Sequence, residues 1–266
     1  MSYFDNKIIW ITGASSGIGK ALAIELSQTN AILILSSRNK VQLEEVRTAC
    51  ANIKLVHVYP LDLAQVDSLE GIANAVESVV GPVDILINNG GLSQRSLAID
   101  TNISVDIKLM DVNYLGTVAL TKSVLPSMMK RKQGQIAVIS STTGKIGVPM
   151  RSGYCGAKHA LHGFFEALRA ELHDTNIGIT MICPGFINTN ISKNALLGDG
   201  SSQNTMDDAQ ANGMPVKVFS QKALKAIQEH RKEVAIGGFK DTTLVIYAWR
   251  FFPDLLRRII VKAKVL

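Results

Sequence analysis

Short apolar runs alternate along most of the chain with longer stretches in which apolar residues recur at helical spacing. Residues 7–11 form a brief isoleucine-rich run, and 31–35, 54–59, 85–88, 135–140 and 178–183 have the same character. Each reads as a buried strand. Between them, helical patterns cover residues 20–28 and the neighbourhoods of 40–51, 65–80, 103–131 and 154–174. Repeated β-α alternation predicts a parallel sheet with helices on both faces and ligands at the carboxyl ends of its strands. The expected fold class is therefore α/β, a single doubly wound domain over residues 1–266.

Composition supports this picture. With 266 residues and 47% hydrophobic content, the chain buries a core of ordinary enzyme size. Neither an internal repeat nor a low-complexity tract or Pro/Gly linker interrupts it before residue 190. Cys50, Cys155 and Cys183 are widely spaced and odd in number, which suits a reducing compartment and suggests neither a disulfide framework nor a zinc site. The five histidines show no H-x-x-x-H pattern, so no metal is expected. The sequence opens without a charged-then-apolar leader, and no run reaches about 18 apolar residues; a cytoplasmic location is the expectation.

Two motifs bring chemistry. The first apolar run leads into Thr12-Gly13-Ala14-Ser15-Ser16-Gly17-Ile18-Gly19 and then a helix. A glycine-rich turn of this kind lets backbone N–H groups approach a pyrophosphate at the positive end of a helix, although a plain tight turn has the same composition. The second is Tyr154 and Lys158, one helical turn apart, with Ser141 thirteen residues before the tyrosine. A free tyrosine has a pKa of about 10, and a cation fixed nearby favours the phenolate. A serine beside it could hydrogen-bond an oxygen whose charge changes during reaction. These are the parts needed to move a proton at a carbonyl or alcohol oxygen.

The chain resembles the classical short-chain dehydrogenase/reductase family. Matching pieces are TGASSGIG at 12–19, Asp62 in LDL, INNGG at 87–91, Asn113 in DVNYLGT, Ser141, Tyr154 with Lys158, and CPGFINT at 183–189. NNGGLSQRS and NYLGTVALTKSVLP are similar to the dehydrogenase/reductase group related to steroid and retinoid reductases. The resemblance implies a Rossmann fold and hydride transfer at a CH–OH or C=O carbon. Ser141, Tyr154, Lys158 and Asn113 would be catalytic, Asn113 through a water behind Lys158, unless Asn113 merely caps or kinks its helix. Gly13, Ser15, Ser16, Gly17, Ile18, Gly19, Asp62, Leu63, Asn89, Pro184, Gly185, Ile187 and Thr189 would bind cofactor, with Tyr154 and Lys158 also at its ribose. Family members that use NAD carry an acidic residue after the second strand. Here Ser37 and Arg38 stand in that place, which implies NADP(H), because a guanidinium receives a 2′-phosphate through parallel charge-assisted bonds. Gly90 replaces the family's usual alanine.

Residues 190–215 are rich in Asn, Ser, Gly and Asp and follow the cofactor turn, so they are the expected substrate lid. They hold no basic cluster, which points to a moderately apolar ketone, aldehyde or secondary alcohol. Ser93, Gln94 and Arg95 are candidates for the pocket rim. From Lys240 onward six basic residues meet two acidic ones, so this extension supplies four of the net +6. Pro253 opens a helix in which Leu255, Leu256, Ile259, Ile260 and Ala263 fall opposite Arg257, Arg258, Lys262 and Lys264. Burial against a second subunit or over the pocket is expected; contact with an anionic membrane surface is the competing account. No motif supports nucleic-acid binding. A homo-oligomer acting on a small carbonyl or alcohol is expected. A 3-oxoacyl-carrier-protein reductase, or a dinucleotide sensor without turnover, is the alternative.

Overall fold

Strand β1 (Ile8–Thr12) sends Ile9 and Ile11 to one layer of core and Trp10 to the other. Strand β2 (Ile32–Ser36) repeats the division with Leu33 and Leu35 against Ile34. This is why both strands are apolar up to their last residues, Thr12 and Ser36: a sheet buried on both faces has no polar side. In this computed structural model, which describes residues 2–238 and 242–261, the chain alternates strand and helix as expected. After β1 come α1 (Gly17–Leu26), β2, α2 (Lys40–Ala49), β3 (Val56–Val58) and α3 (Leu69–Val79). Then follow β4 (Ile85–Asn88), α4 (Ile103–Met110), α5 (Gly116–Arg131), β5 (Gln133–Ile139), α6 (Ser152–Glu171) and β6 (Asn176–Pro184). Beyond the cofactor turn lie β7 (Ile187–Asn188), α7 (Asp208–Ala211), β8 (Met214–Pro215), α8 (Val216–Gln228), β9 (Glu233–Ile236), α9 (Leu244–Phe251) and α10 (Pro253–Ile260).

The main sheet runs β3-β2-β1-β4-β5-β6-β9, every neighbouring pair parallel. Chain order reverses between β1 and β4, and the loops that follow these two strands flank the resulting crevice. Buried polar bonds lock the register of the first three strands. Trp10 Nε1 donates to Ser36 Oγ at 2.9 Å, and Ser36 Oγ donates to the Tyr59 carbonyl at 2.5 Å.

Three features depart from the sequence expectation. The helix predicted over 103–131 is two helices joined by a wide i→i+5 turn at Asp111–Leu115. Such turns insert one residue without disturbing the apolar pattern on either side. A seventh strand, β9, extends the sheet beyond β6. Residues 190–215 are not an unstructured loop: Arg95 N–H donates to Leu196 O at 2.8 Å, and Leu196 N–H donates to Ser93 O at 2.9 Å.

Candidate active site

A cavity of about 1140 Å³ lies at the carboxyl ends of the strands. Its first half is built by the turn after β1. Gly13 has φ +63°, and a Cβ there would come within 2.8 Å of Gly90 Cα, so only glycine lets the two loops close. A methyl at Gly19 would overlap the Gly13 carbonyl, which fixes how tightly α1 folds back on the turn. No acidic residue occupies the first turn of α1, and its N-cap Ser16 makes no side-chain capping bond, so the positive end of the helix faces the cavity. Asn89 braces this turn: its Nδ2 donates to the carbonyls of Thr12 at 2.9 Å and Gly13 at 3.2 Å. Gly90 makes room for Leu63, whose Cδ1 would stand 2.6 Å from an added Cβ.

Ser37, Arg38, Asp62 and Leu63 line the same half. Asp62 Oδ1 accepts from Ala64 N–H at 3.0 Å. Ser37 Oγ is buried without a hydrogen-bond partner among the described residues, and Arg38 beside it is exposed. A glycine cradle and an open helix N-terminus fit a nicotinamide dinucleotide. Ser15, Ser16, Gly17, Ile18, Pro184, Gly185, Ile187 and Thr189 also line the cavity, and Thr189 Cβ would lie 3.4 Å from a Cβ on Gly17.

The second half is built by α6. Tyr154 and Lys158 are both buried, and Lys158 Nζ lies 5.8 Å from the Tyr154 ring centre while donating to the Ile139 carbonyl at 2.9 Å. Burial pushes the lysine down to about 8, with Cys183 opposing. Burial raises the tyrosine; the Ser141 hydroxyl and the Arg151 and Arg95 guanidiniums act against it. Ser141 Oγ accepts from both N–H and Oγ1 of Thr143, at 3.1 and 2.9 Å. Its own hydrogen is therefore left to donate into the cavity. Asn113 sits in the wide turn, where its side chain bridges Leu92 by accepting from N–H at 2.8 Å and donating to O at 3.0 Å. A Cβ on Gly91 would stand 2.6 Å from Asn113 Oδ1 and 3.6 Å from Lys158 Nζ, so the two side chains converge on that glycine.

Ser93, Gln94 and Arg95, read as either pocket-rim or structural residues, are all buried; Ser93 and Arg95 line the cavity, and Gln94 Oε1 accepts from the Tyr154 N–H at 3.2 Å. The structure adds residues that the sequence did not mark. Arg151, just ahead of α6, is buried in the cavity wall and follows Met150, whose φ of +62° is left-handed. Asp207 pairs with Arg95. Residues 190–215 hold no basic cluster, but two arginines, Arg95 and Arg151, line the cavity from segments outside them. In the tail, Leu256 is buried and Ile260 and Val245 line the cavity, as a pocket-covering helix would have them, whereas Leu255 and Ile259 are 58% and 54% exposed in the single chain. Ala263, Lys262 and Lys264 lie outside the described residues.

A doubly wound sheet whose crevice joins a glycine turn to a half-buried serine and a buried tyrosine and lysine defines an oxidoreductase dependent on a nicotinamide dinucleotide. A family model described as short chain dehydrogenase matches residues 7–199. The chain is 41% identical over 261 residues to dehydrogenase/reductase SDR family member 7B of Xenopus tropicalis, covering 96% of this chain and 84% of that protein. Among solved structures, an actinorhodin polyketide ketoreductase with NADPH has a TM-score of 0.66 at 29% identity, covering 71% of this chain and 73% of that one. A short-chain dehydrogenase/reductase from Burkholderia phymatum in complex with NAD shares the fold, with a TM-score of 0.77 at 21% identity over 88% and 90% of the two chains. The chain belongs to the short-chain dehydrogenase/reductase family.

Proposed function

We propose that the protein is an NADP(H)-dependent oxidoreductase that interconverts a ketone or aldehyde and the corresponding alcohol. The observation that carries this reading is one cavity walled by Ser141, Tyr154 and Lys158 on one side and by Ser37 and Arg38 on the other. When bound, the dinucleotide supplies or accepts the hydride. Ser37 and Arg38 would hold its 2′-phosphate, Gly13 to Gly19 its pyrophosphate, and Asp62 its adenine. Lys158 would hold its ribose hydroxyls, with Asn113 holding a water behind it, and Ile187 and Thr189 would face the carboxamide.

In the reducing direction Tyr154 gives its hydroxyl proton to the carbonyl oxygen. Ser141 donates a hydrogen bond to the same oxygen as negative charge gathers there. Burial disfavours the phenolate left behind and keeps the hydroxyl above its ordinary value; the Ser141 hydroxyl, then the Arg151 and Arg95 guanidiniums, oppose that only in part. Leu92, Ile146, Val148 and Leu196 supply apolar walls for the rest of the substrate. The alternative of a 3-oxoacyl-carrier-protein reductase draws no support from the 41% relative, whose name is that of a dehydrogenase/reductase.

A homo-oligomer completes the proposal, supported by the exposed Ile99, Ile103 and Ile107 beside and along α4, and light scattering tests it. We also propose a cytoplasmic setting, which cell fractionation tests; among the described residues no helix is long and apolar enough to cross a membrane. The central test is an initial-rate screen with NADPH and NADH across ketones, aldehydes, steroids, retinoids and acyl thioesters. Turnover of carbonyls with NADPH preferred is expected; a protein inert toward all of them would remove the reading.

A further inference from the structure

The cavity holds a positive charge that hydride and proton transfer leave unanswered. The Arg151 side chain is 9% exposed and lines the cavity, its guanidinium 5.9 Å from the Phe186 ring centre. Its Nε and Nη2 are buried with no hydrogen-bond partner among the described residues. One carboxylate is at hand, Asp207, whose Oδ2 stands 3.6 Å from Arg151 Nη2, beyond hydrogen-bond reach. That oxygen already accepts from Nε and Nη2 of Arg95, and Oδ1 accepts from Gln203 Nε2 at 2.7 Å. Arg95 is itself fully engaged, since its Nη1 donates to Ser93 Oγ at 2.8 Å and to the Gln94 carbonyl at 2.6 Å. Two buried guanidiniums therefore share one carboxylate, and the surplus charge falls on Arg151.

A buried ion without a partner costs several kcal/mol, and arginine does not escape that cost by losing its proton. Burial lowers it only to about 10, so it stays charged near neutrality. The N-terminus of the 20-residue helix α6 adds to the same field, with no acidic residue in its first turn. The orphaned pair, Nε and Nη2, is one edge of the guanidinium fork, which grips two oxygens of a carboxylate or a phosphate in parallel. The cofactor phosphates are assigned to other elements, the end of β2 and the start of α1.

We propose that Arg151 forms an anion-accepting subsite in the substrate cavity, and that the substrate is a carbonyl compound or alcohol carrying one carboxylate or phosphate on an apolar body. The carbonyl half of this statement rests on the oxidoreductase reading; the anion half does not. The body lies against the apolar walls, and the anionic end approaches the unpaired Nε–Nη2 edge, which is buried and has Asp207 Oδ2 3.6 Å from Nη2.

The test has two readouts. In the first, NADPH-loaded protein is titrated calorimetrically with butanoate, butyl phosphate and butan-1-ol. In the second, kcat/KM is measured for 5-oxohexanoate against its methyl ester, and for 5-oxohexyl phosphate against the free alcohol. Wild type, Arg151→Gln and Arg151→Lys are compared. At least one anion is expected to bind where butanol does not, the two anions deciding between carboxylate and phosphate. The charged substrate should lead its neutral partner by about tenfold or more, mainly through KM, the scale of a hydrogen bond to a charged group. Arg151→Gln should lower that ratio by about tenfold, and Arg151→Lys, which keeps the charge without the fork, by less.

If wild type binds neither anion better than butanol, the subsite is wrong. It is equally wrong if Arg151→Gln slows charged and neutral substrates by one common factor; a shifted pH profile would then assign Arg151 to Tyr154 alone. Anion binding through Arg151 with no carbonyl turned over would keep the subsite and remove the oxidoreductase reading. Turnover without preference for charge would do the reverse. Should Arg151→Gln fail to fold, an unchanged preference in Arg151→Lys overturns the proposal and a reduced one supports it.

Discussion

Arg95 Nε donates to Asp207 Oδ2 at 2.8 Å, tying the loop after β4 to the segment before α7. Both side chains are 2% exposed. With the backbone bonds between Ser93, Arg95 and Leu196, this pair turns residues 190–215 from a cover into a fixed wall of the cavity.

Removing one partner leaves the other as an isolated buried charge. Asp207→Ala should therefore cost about 3–5 kcal/mol of stability. Replacing both, with Arg95→Met and Asp207→Leu, should recover the part owed to Arg95 but not the part owed to Arg151, which also loses its one nearby carboxylate. Urea unfolding of wild type and the two variants checks it; a double variant as weak as the single one would mean that Arg95 carries none of the charge cost.

Tyr154→Phe keeps the ring that packs beside Lys158 and deletes only the hydroxyl. Turnover should fall by about 100-fold or more, the scale of general acid catalysis, with NADPH affinity nearly intact. Stopped-flow hydride transfer and fluorescence titration of NADPH measure the two quantities separately. A near-normal rate would place the proton donor elsewhere.

Arg38→Asp removes the exposed guanidinium at the end of β2 and puts a carboxylate where a 2′-phosphate would lie. NADPH should bind more weakly and NADH relatively better, reversing the order of their kcat/KM values. An order that does not move would show that the phosphate is bound elsewhere or not at all.

Lys158 is charged at neutral pH in a site that lowers its pKa to about 8 from 10.5. Between those values the unfolded chain holds a proton that the folded one has released, so this residue makes stability rise with pH across that window. Below it, the buried ammonium costs roughly 3 kcal/mol. In cofactor-free protein, Lys158→Met should be the more stable form at pH 7, less whatever the lost bond to Ile139 contributes. Its advantage should shrink toward pH 10.5. Denaturant unfolding at several pH values follows the difference, and a difference independent of pH would contradict the argument.

The sheet was legible because burial on both faces makes runs such as Ile8–Ile11 and Ile85–Ile87 apolar at successive positions, with a buried polar residue, Thr12 or Asn88, only at the end. Ser141, Tyr154 and Lys158 were legible because their spacing is local: one loop and one helical turn set it. Arg151 and Asp207 were not, because 56 positions separate them and no periodicity marks a contact between two irregular segments. The wide turn at Asn113 was hidden for a related reason: the apolar pattern continues through Val112 and Leu120 on either side of it. Strand β9 is short and polar at its first residue, and only its pairing with β6 defines it. Asn89 illustrates another limit. The family resemblance made it a cofactor contact, and it does line the cavity; what the sequence did not show is that its amide nitrogen also braces the glycine turn.

The unequal fastening of the cavity's two sides has a kinetic consequence. Opening the wall formed by residues 190–215 means parting a buried ion pair together with several backbone hydrogen bonds. The opposite side is closed by α9 and α10, which pack on each other, with Arg257 over the Trp249 ring at 5.3 Å and Leu256 as the fully buried contact of α10. Thr242, wedged against Gly185 and Gly237, anchors the start of this arm. If product release limits turnover, truncation after Phe252 is expected to change the release rate more than a substitution in the wall does, and stopped-flow release of NADP checks it.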